Sequence, residues 1–114
     1  METVERTIIY FEDDHGKEPV RVYLNRLLKK RKKVEVTKIN ARIKRAGEGN
    51  FGDHRFLSGN LLELKIDIGP GYRIYCGIDG DKLIVLVNGG TKKTQEEDIR
   101  QAKQNWDAYL ESKN

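Results

Sequence analysis

The segment from Leu61 to Val87 constrains this chain more than any other. Leu62, Leu64, Ile66 and Ile68 alternate with Glu63, Lys65 and Asp67, a period of two that a strand sorts into one apolar and one polar face. Gly69-Pro70-Gly71 turns the chain. Tyr72 to Ile78 then alternates again, with Ile74, Cys76 and Ile78 on one face and Arg73, Tyr75 and Gly77 on the other. Asp79-Gly80 or Gly80-Asp81 supplies a hairpin turn, and LIVLV at 83–87 is apolar throughout, as a strand covered on both faces requires. The pattern predicts a three-stranded antiparallel meander whose first strand is half-exposed. Gly89-Gly90 reads as a further turn.

The flanks differ in period. TIIYF at 7–11 is a short β-branched and aromatic run closed by the acidic turn from Glu12 to Gly16, an edge or opening strand. Pro19 fits a first helical turn, and Val20, Tyr23, Leu24, Leu27 and Leu28 recur at helical spacing. Lys29-Lys30-Arg31-Lys32-Lys33 contains no apolar residue and marks a helix end and turn. A second helix carries Val36, Ile39 and Ile43 on one face, with Lys38, Arg42 and Arg45 off it, and stops at Gly47 and Gly49. The two helices predict an antiparallel hairpin. Thr94 and Glu97 form a capping box for a closing helix, in which Ile99, Ala102, Trp106, Tyr109 and Leu110 provide a face able to cover the sheet. The order predicts an α+β chain: N-terminal strand and helical hairpin, meander, C-terminal helix.

At 114 residues this is the size of one domain, 1–114, with 37% hydrophobic residues for a modest core. Charge is distributed unevenly. Between Lys17 and Arg45 twelve Lys and Arg face two acids, Glu18 and Glu35, so +10 sits in one quarter of a chain whose total is +4. Clustered cations of this kind suit a phosphate-rich or strongly acidic partner. Cys76 is the single cysteine, which excludes an internal disulfide and fits a reducing cytoplasm. METVERTIIYFEDDHG holds no cationic leader before an apolar stretch, and no apolar run is long enough to cross a bilayer, so neither export nor a membrane is expected.

The informative polar set is Glu63, Lys65 and Asp67 on one strand, Arg73 and Tyr75 on its neighbour, and Lys92-Lys93 past the end of the third. Arg73 offers a planar fork to a phosphate, and Lys65, Lys92 and Lys93 offer point charges beside it. The alternative is a solvated face with cross-strand ion pairs such as Glu63 or Asp67 with Arg73. His54 precedes the strands and could reach the same face as a general base, or be an ordinary loop histidine. Tyr75 shares Arg73's face, where it could stack on a base or donate a proton. Cys76 and Trp106 read as core. No P-loop, dinucleotide fingerprint, HExxH or Cys/His metal spacing occurs, so no cofactor and no metal is expected.

ARIKRAGEGNFGD at 41–53 and LLELKIDIGPGYRIYCGIDGDKLIVLVNGGTKKTQEEDIRQAK at 61–103 together resemble the RelE/ParE toxin superfamily, most closely its branch of HigB-like addiction-module killer proteins. The resemblance spans nearly the whole chain after Phe11. It implies a RelE-like fold, metal-free endoribonuclease activity on mRNA at the ribosome, and neutralisation by a cognate antitoxin, usually a helix-turn-helix protein. The family's strand cation falls on Lys65, its post-turn arginine on Arg73, and its later basic residue on Lys92 or Lys93. The tyrosine that RelE carries near its C-terminus has no counterpart at Asp98-Ile99-Arg100, which leaves Tyr75, His54 or no residue in that role. RNA contacts are expected from Arg26, Lys29, Lys30, Arg31, Lys32, Lys33, Arg42, Arg45 and Arg55. Two other functions fit the resemblance or the charge: a ParE-like inhibitor of DNA gyrase without nuclease activity, and a non-catalytic RNA-binding module.

Overall fold

The computed structural model describes residues 4–113; residues 1–3, where the stretch read above for a leader begins, and Asn114 lie outside the described part. The elements are β1 (Thr7–Tyr10), α1 (Pro19–Lys29), α2 (Lys33–Gly47), β2 (His54–Ser58), β3 (Leu61–Ile66), β4 (Tyr72–Asp79), β5 (Leu83–Thr91), a single 3-10 turn (Lys92–Thr94) and α3 (Gln95–Ser112). The chain is an α+β fold with one five-stranded mixed sheet in the order β1-β5-β4-β3-β2. β1 runs parallel to β5, and every other pair is antiparallel. The predicted meander is β3-β4-β5, and β1 is the edge strand its position suggested.

The sheet has helices on both faces. Val20, Leu24 and Leu27 of α1 and Val36, Ile39, Ile43 and Ala46 of α2 repeat at three- and four-residue steps and bury against Leu62, Leu64, Ile66, Tyr72, Ile74, Cys76, Ile84 and Leu86. Arg31, in the left-handed region at φ 61, closes the short link between the helices. On the opposite face Ala102 and Trp106 of α3 pack with Phe11, Leu61, Tyr75, Val85 and Val87. Gly77 is required there, because a Cβ would stand only 2.2 Å from the Trp106 ring. Cys76 and Trp106 are core, as their spacing suggested.

Five sequence expectations are corrected. The segment at 54–58 is a strand, β2, paired to β3 (His54 with Leu64, Arg55 with Glu63), where the sequence suggested a loop. It is too short and too polar for alternation to reveal it. The first meander strand is not half-exposed: Leu61 through Leu64 are all buried, because α3 covers the face that alternation marked as polar. Gly89-Gly90 is not a turn but the end of β5, and glycine is needed because the Asp98 carboxylate occupies the space of a Gly90 Cβ. The reciprocal cap lies one turn earlier than expected, between Thr91 and Thr94, and Thr94 Oγ1 is used on Thr91 O and Asp98. Leu28 and Leu110, assigned to apolar faces, are exposed.

Candidate functional site

Two transverse rows of side chains on the α3 face of the sheet form the site. In one, Lys65, Arg73 and Gly90 are register partners across β3, β4 and β5. In the next, Arg55, Glu63, Tyr75 and Asn88 stand side by side across β2 to β5. Alternation puts these residues on one face, and the start of α3 roofs them.

Arg73 is central. Its side chain is 7% exposed, Nη1 donates to Tyr72 O at 3.0 Å, and Asp67, itself 75% exposed, lies 3.8 Å away. Nε is buried without a partner. A buried guanidinium with an unfilled N–H is costly to a folded chain and ready-made for an arriving acceptor. Lys92 reaches the same point: its Cβ and Arg73 Nη1 each stand 3.5 Å from where a Gly71 Cβ would be, and its N–H donates to Gly71 O at 2.8 Å. The Gly69-Pro70-Gly71 turn, with both glycines at positive φ, joins β3 to β4 and so sets the start of β4, paired to the end of β5, at this point. Lys65 joins Arg73 from the other side, and its backbone is fixed: its N–H donates to Asp53 O at 3.0 Å and its carbonyl accepts from Arg42 Nε at 3.4 Å.

Behind Arg73, Glu63 is wholly buried and accepts from Arg55 Nε at 3.1 Å and Gln95 Nε2 at 2.8 Å, tying β2 and the first turn of α3 to β3. The Tyr75 hydroxyl is buried beside it without a partner. Burial, reinforced by the Glu63 carboxylate, pushes Tyr75 well above the ordinary phenol range, so it stays protonated. Asn88 Nδ2 donates to Asp98 O at 2.9 Å while its Oδ1 is unpartnered. Asp98 is raised above the usual carboxylate range, chiefly by desolvation.

The structure brings together Lys65, Arg73 and Lys92, with Tyr75 beneath them and Lys93 turned toward a cavity beside α1. His54 is not part of this group. Its register partner Leu64 points into the α1–α2 core, and the imidazole packs edge-on against Phe51 and Phe56 with Nδ1 2.7 Å from Gly52 O. The reason is parity: His54 is one residue out of step with Arg55. Arg42 is also unavailable to RNA, being buried with its guanidinium on the carbonyls of Phe51 and Asp53, the latter at 2.8 Å. Arg55, half-exposed, is engaged by Glu63. Arg26, Lys29, Lys30, Arg31, Lys33 and Arg45 are exposed, and Lys32 partly so. Lys38, Lys44, Arg45 and Lys65 line an open groove of about 740 Å³ between α2 and the end of β3, with Glu48, Asp53 and Asp67 as its acids. Asn88, Gln95 and Asp98 escaped sequence reasoning. The signal was the Gly89-Gly90 pair: the missing side chain of Gly90 makes room for Asp98 of α3, and that of Gly89 for Ile74 and Tyr23.

Among the described residues no three His, Cys, Asp or Glu side chains stand close enough to hold a metal ion, and no helix is long and apolar enough to cross a membrane. No family model matches the chain. It is 52% identical over 66 residues to an uncharacterized protein of Haemophilus influenzae, a match covering 58% of this chain and 67% of that protein. The chain belongs to the same family as that protein.

Proposed function

We propose that this protein is a metal-free endoribonuclease of the RelE/ParE kind, with a RelE-like fold: the toxin of a toxin-antitoxin pair, acting on mRNA at the ribosome in the cytoplasm and restrained by a cognate antitoxin. The observation that carries the reading is the convergence of Lys65, Arg73 and Lys92 on one end of the sheet, with Arg73 Nε buried and unfilled. An RNA phosphate is the ligand such a group fits: two negative oxygens for a guanidinium fork, flanked by two ammonium groups.

In the cleavage step the 2′-oxygen bonds to phosphorus while the bond to the 5′-oxygen breaks; the 2′-proton passes to solvent water and the departing 5′-oxygen takes a proton from water, leaving a cyclic phosphate and a free 5′-hydroxyl. The Lys65 ammonium assists that proton transfer by stabilising the 2′-oxyanion as the proton leaves. Arg73 and Lys92 stabilise the negative charge that builds on the phosphate, the largest single contribution such a site makes. Asp67 marks the door. Exposed and weakly paired with Arg73, it gives way to an entering phosphate. The α2 groove, richer in cations than in acids and lined by Lys65 itself, leads RNA to that point.

The test is cleavage of mRNA by the purified protein, with and without ribosomes, scored by end mapping. Lys65→Ala and Lys92→Ala remove side chains that stand outside the core, so both variants should stay folded and lose cleavage and growth arrest together. Arrest that persists in both, without any cut, would overturn the reading and direct the assay to gyrase supercoiling.

A further inference from the structure

β5 runs to Thr91, but its parallel pairing with β1 stops at Tyr10 and Leu86. The outer edge of Asn88–Thr91 therefore has no strand neighbour, and two of its four residues are glycine. A cavity of about 650 Å³ opens beside this bare edge, with α1 on one side and the start of α3 on the other. We propose that this cavity is a nucleobase subsite, selective for guanine, that receives a base next to the phosphate held by Arg73 and Lys92. The proposal deepens the ribonuclease reading and rests on it.

Shape comes first. Tyr23 of α1 presents its ring edge 3.1 Å from where a Gly89 Cβ would stand, and the Asp98 carboxylate lies over Gly90. An aromatic wall, a glycine-backed edge and a carboxylate opposite suit a flat ring bearing polar groups at its rim. The lining is charge-balanced, with Arg26, Lys93 and Arg100 against Glu96, Glu97 and Asp98, and Glu97 already pairs with Arg100. Such a cavity has no net field for a phosphate, in contrast to the cation-rich groove beside α2. A neutral planar ligand matches it better.

The polar atoms then choose the base. Thr94 Oγ1 donates to Asp98 Oδ2 at 2.5 Å, while Oδ1 has no hydrogen bond among the described residues. The Tyr23 hydroxyl is buried without a partner, and burial pushes it up to about 12, so it is a donor at neutral pH. One free carboxylate oxygen and one phenolic donor read an edge that carries N–H donors beside an acceptor. Guanine offers its N1 and N2 hydrogens to the carboxylate and a ring acceptor to the tyrosine, whereas adenine brings a single amino group. Connectivity places base and phosphate together: Lys92 turns toward Gly71 and Arg73, and the next residue, Lys93, lines the cavity.

The experiment titrates the whole protein with GMP, IMP, AMP and ribose 5-phosphate and follows backbone amide shifts by NMR. GMP should shift Gly89, Gly90 and Thr91 and bind about tenfold tighter than AMP, with IMP between them, since a polar site rejects a ligand that leaves its buried groups unpaired. Ribose 5-phosphate should move Arg73 and Lys92 and spare Gly89 and Gly90. Asp98→Asn should erase the preference for GMP over AMP while ribose 5-phosphate binds as before. Equal affinity for GMP and AMP, or equal shifts of Gly89 and Gly90 by the base-free sugar phosphate, would overturn the subsite. Mononucleotide binding does not depend on cleavage. A chain that binds GMP here and cuts no RNA overturns the nuclease reading alone, and one that cuts RNA with Gly89 and Gly90 silent to every nucleotide overturns the subsite alone.

Discussion

Replacing Arg73 with methionine separates function from stability at one position. Three methylenes of Arg73 are buried, worth roughly 0.8 kcal/mol each, or about 2.4 kcal/mol in all. Against this stands the unpartnered Nε, whose burial costs on the order of 1–2 kcal/mol. The exposed Asp67 adds little at 3.8 Å. Alanine loses the packing and relieves the donor, for a net loss of about 1 kcal/mol. Methionine keeps a chain of similar length and relieves the donor as well, so Arg73→Met should match the parent or exceed it by up to about 1 kcal/mol, a rise in Tm of roughly 4 °C. Cleavage should fall about a hundredfold or more, because the charge-assisted donors on the phosphate are gone. Arg73→Lys should recover part of the rate, keeping the charge without the fork. Thermal unfolding and end-mapped RNA cleavage on the same preparations decide it. An Arg73→Met protein that cuts RNA within threefold of the parent, or that melts several degrees lower, would refute the reasoning at its functional or its structural step respectively.

Asp67→Asn should tighten RNA binding about two- to fivefold in a filter assay with little change in Tm, since it removes an acid that competes with phosphate for Arg73. Arg42→Met should cost about 2–4 kcal/mol in denaturant unfolding by stripping the donors from the Phe51, Asp53 and Lys65 carbonyls, yet leave the salt dependence of RNA binding unchanged. Asp98 has a folded pKa raised by desolvation, so its protonated form favours the native state: that contribution is complete below the usual carboxylate value of 3.8 and is lost as pH rises through the folded value. Asp98→Asn, which cannot ionise, should therefore gain in Tm relative to the parent at pH 7, and the gain should shrink as the pH approaches 4; a constant difference across that range would contradict it.

Local chemistry made much of this chain legible. A period of two with glycine-rich turns predicted the β3-β4-β5 meander, and three- and four-residue spacings predicted all three helices, because these signals depend on near neighbours in sequence. Lys65 and Arg73 were placed on one face by parity alone. What the sequence could not contain was which faces would be covered. Alternation marks Glu63, Arg73 and Tyr75 as polar, but α3 must bury Ala102 and Trp106 somewhere, and the face it found was theirs. That choice turns an outward-facing row into a buried, partly unfilled one. Arg42 shows the same limit: its place off the apolar stripe of α2 reads as a surface cation, and only the loop folding back at Phe51–Asp53, together with Lys65 of β3, gives it three carbonyls to hold. β2 exists because β3 offered an open edge, a property of the sheet and not of residues 54–58 themselves. The sequence by itself determined every element but β2, and the charged residues they carry. Long-range packing decided which of those charges are shielded from water, because burial is set by what lies across a face and not by what lies beside a residue in the chain.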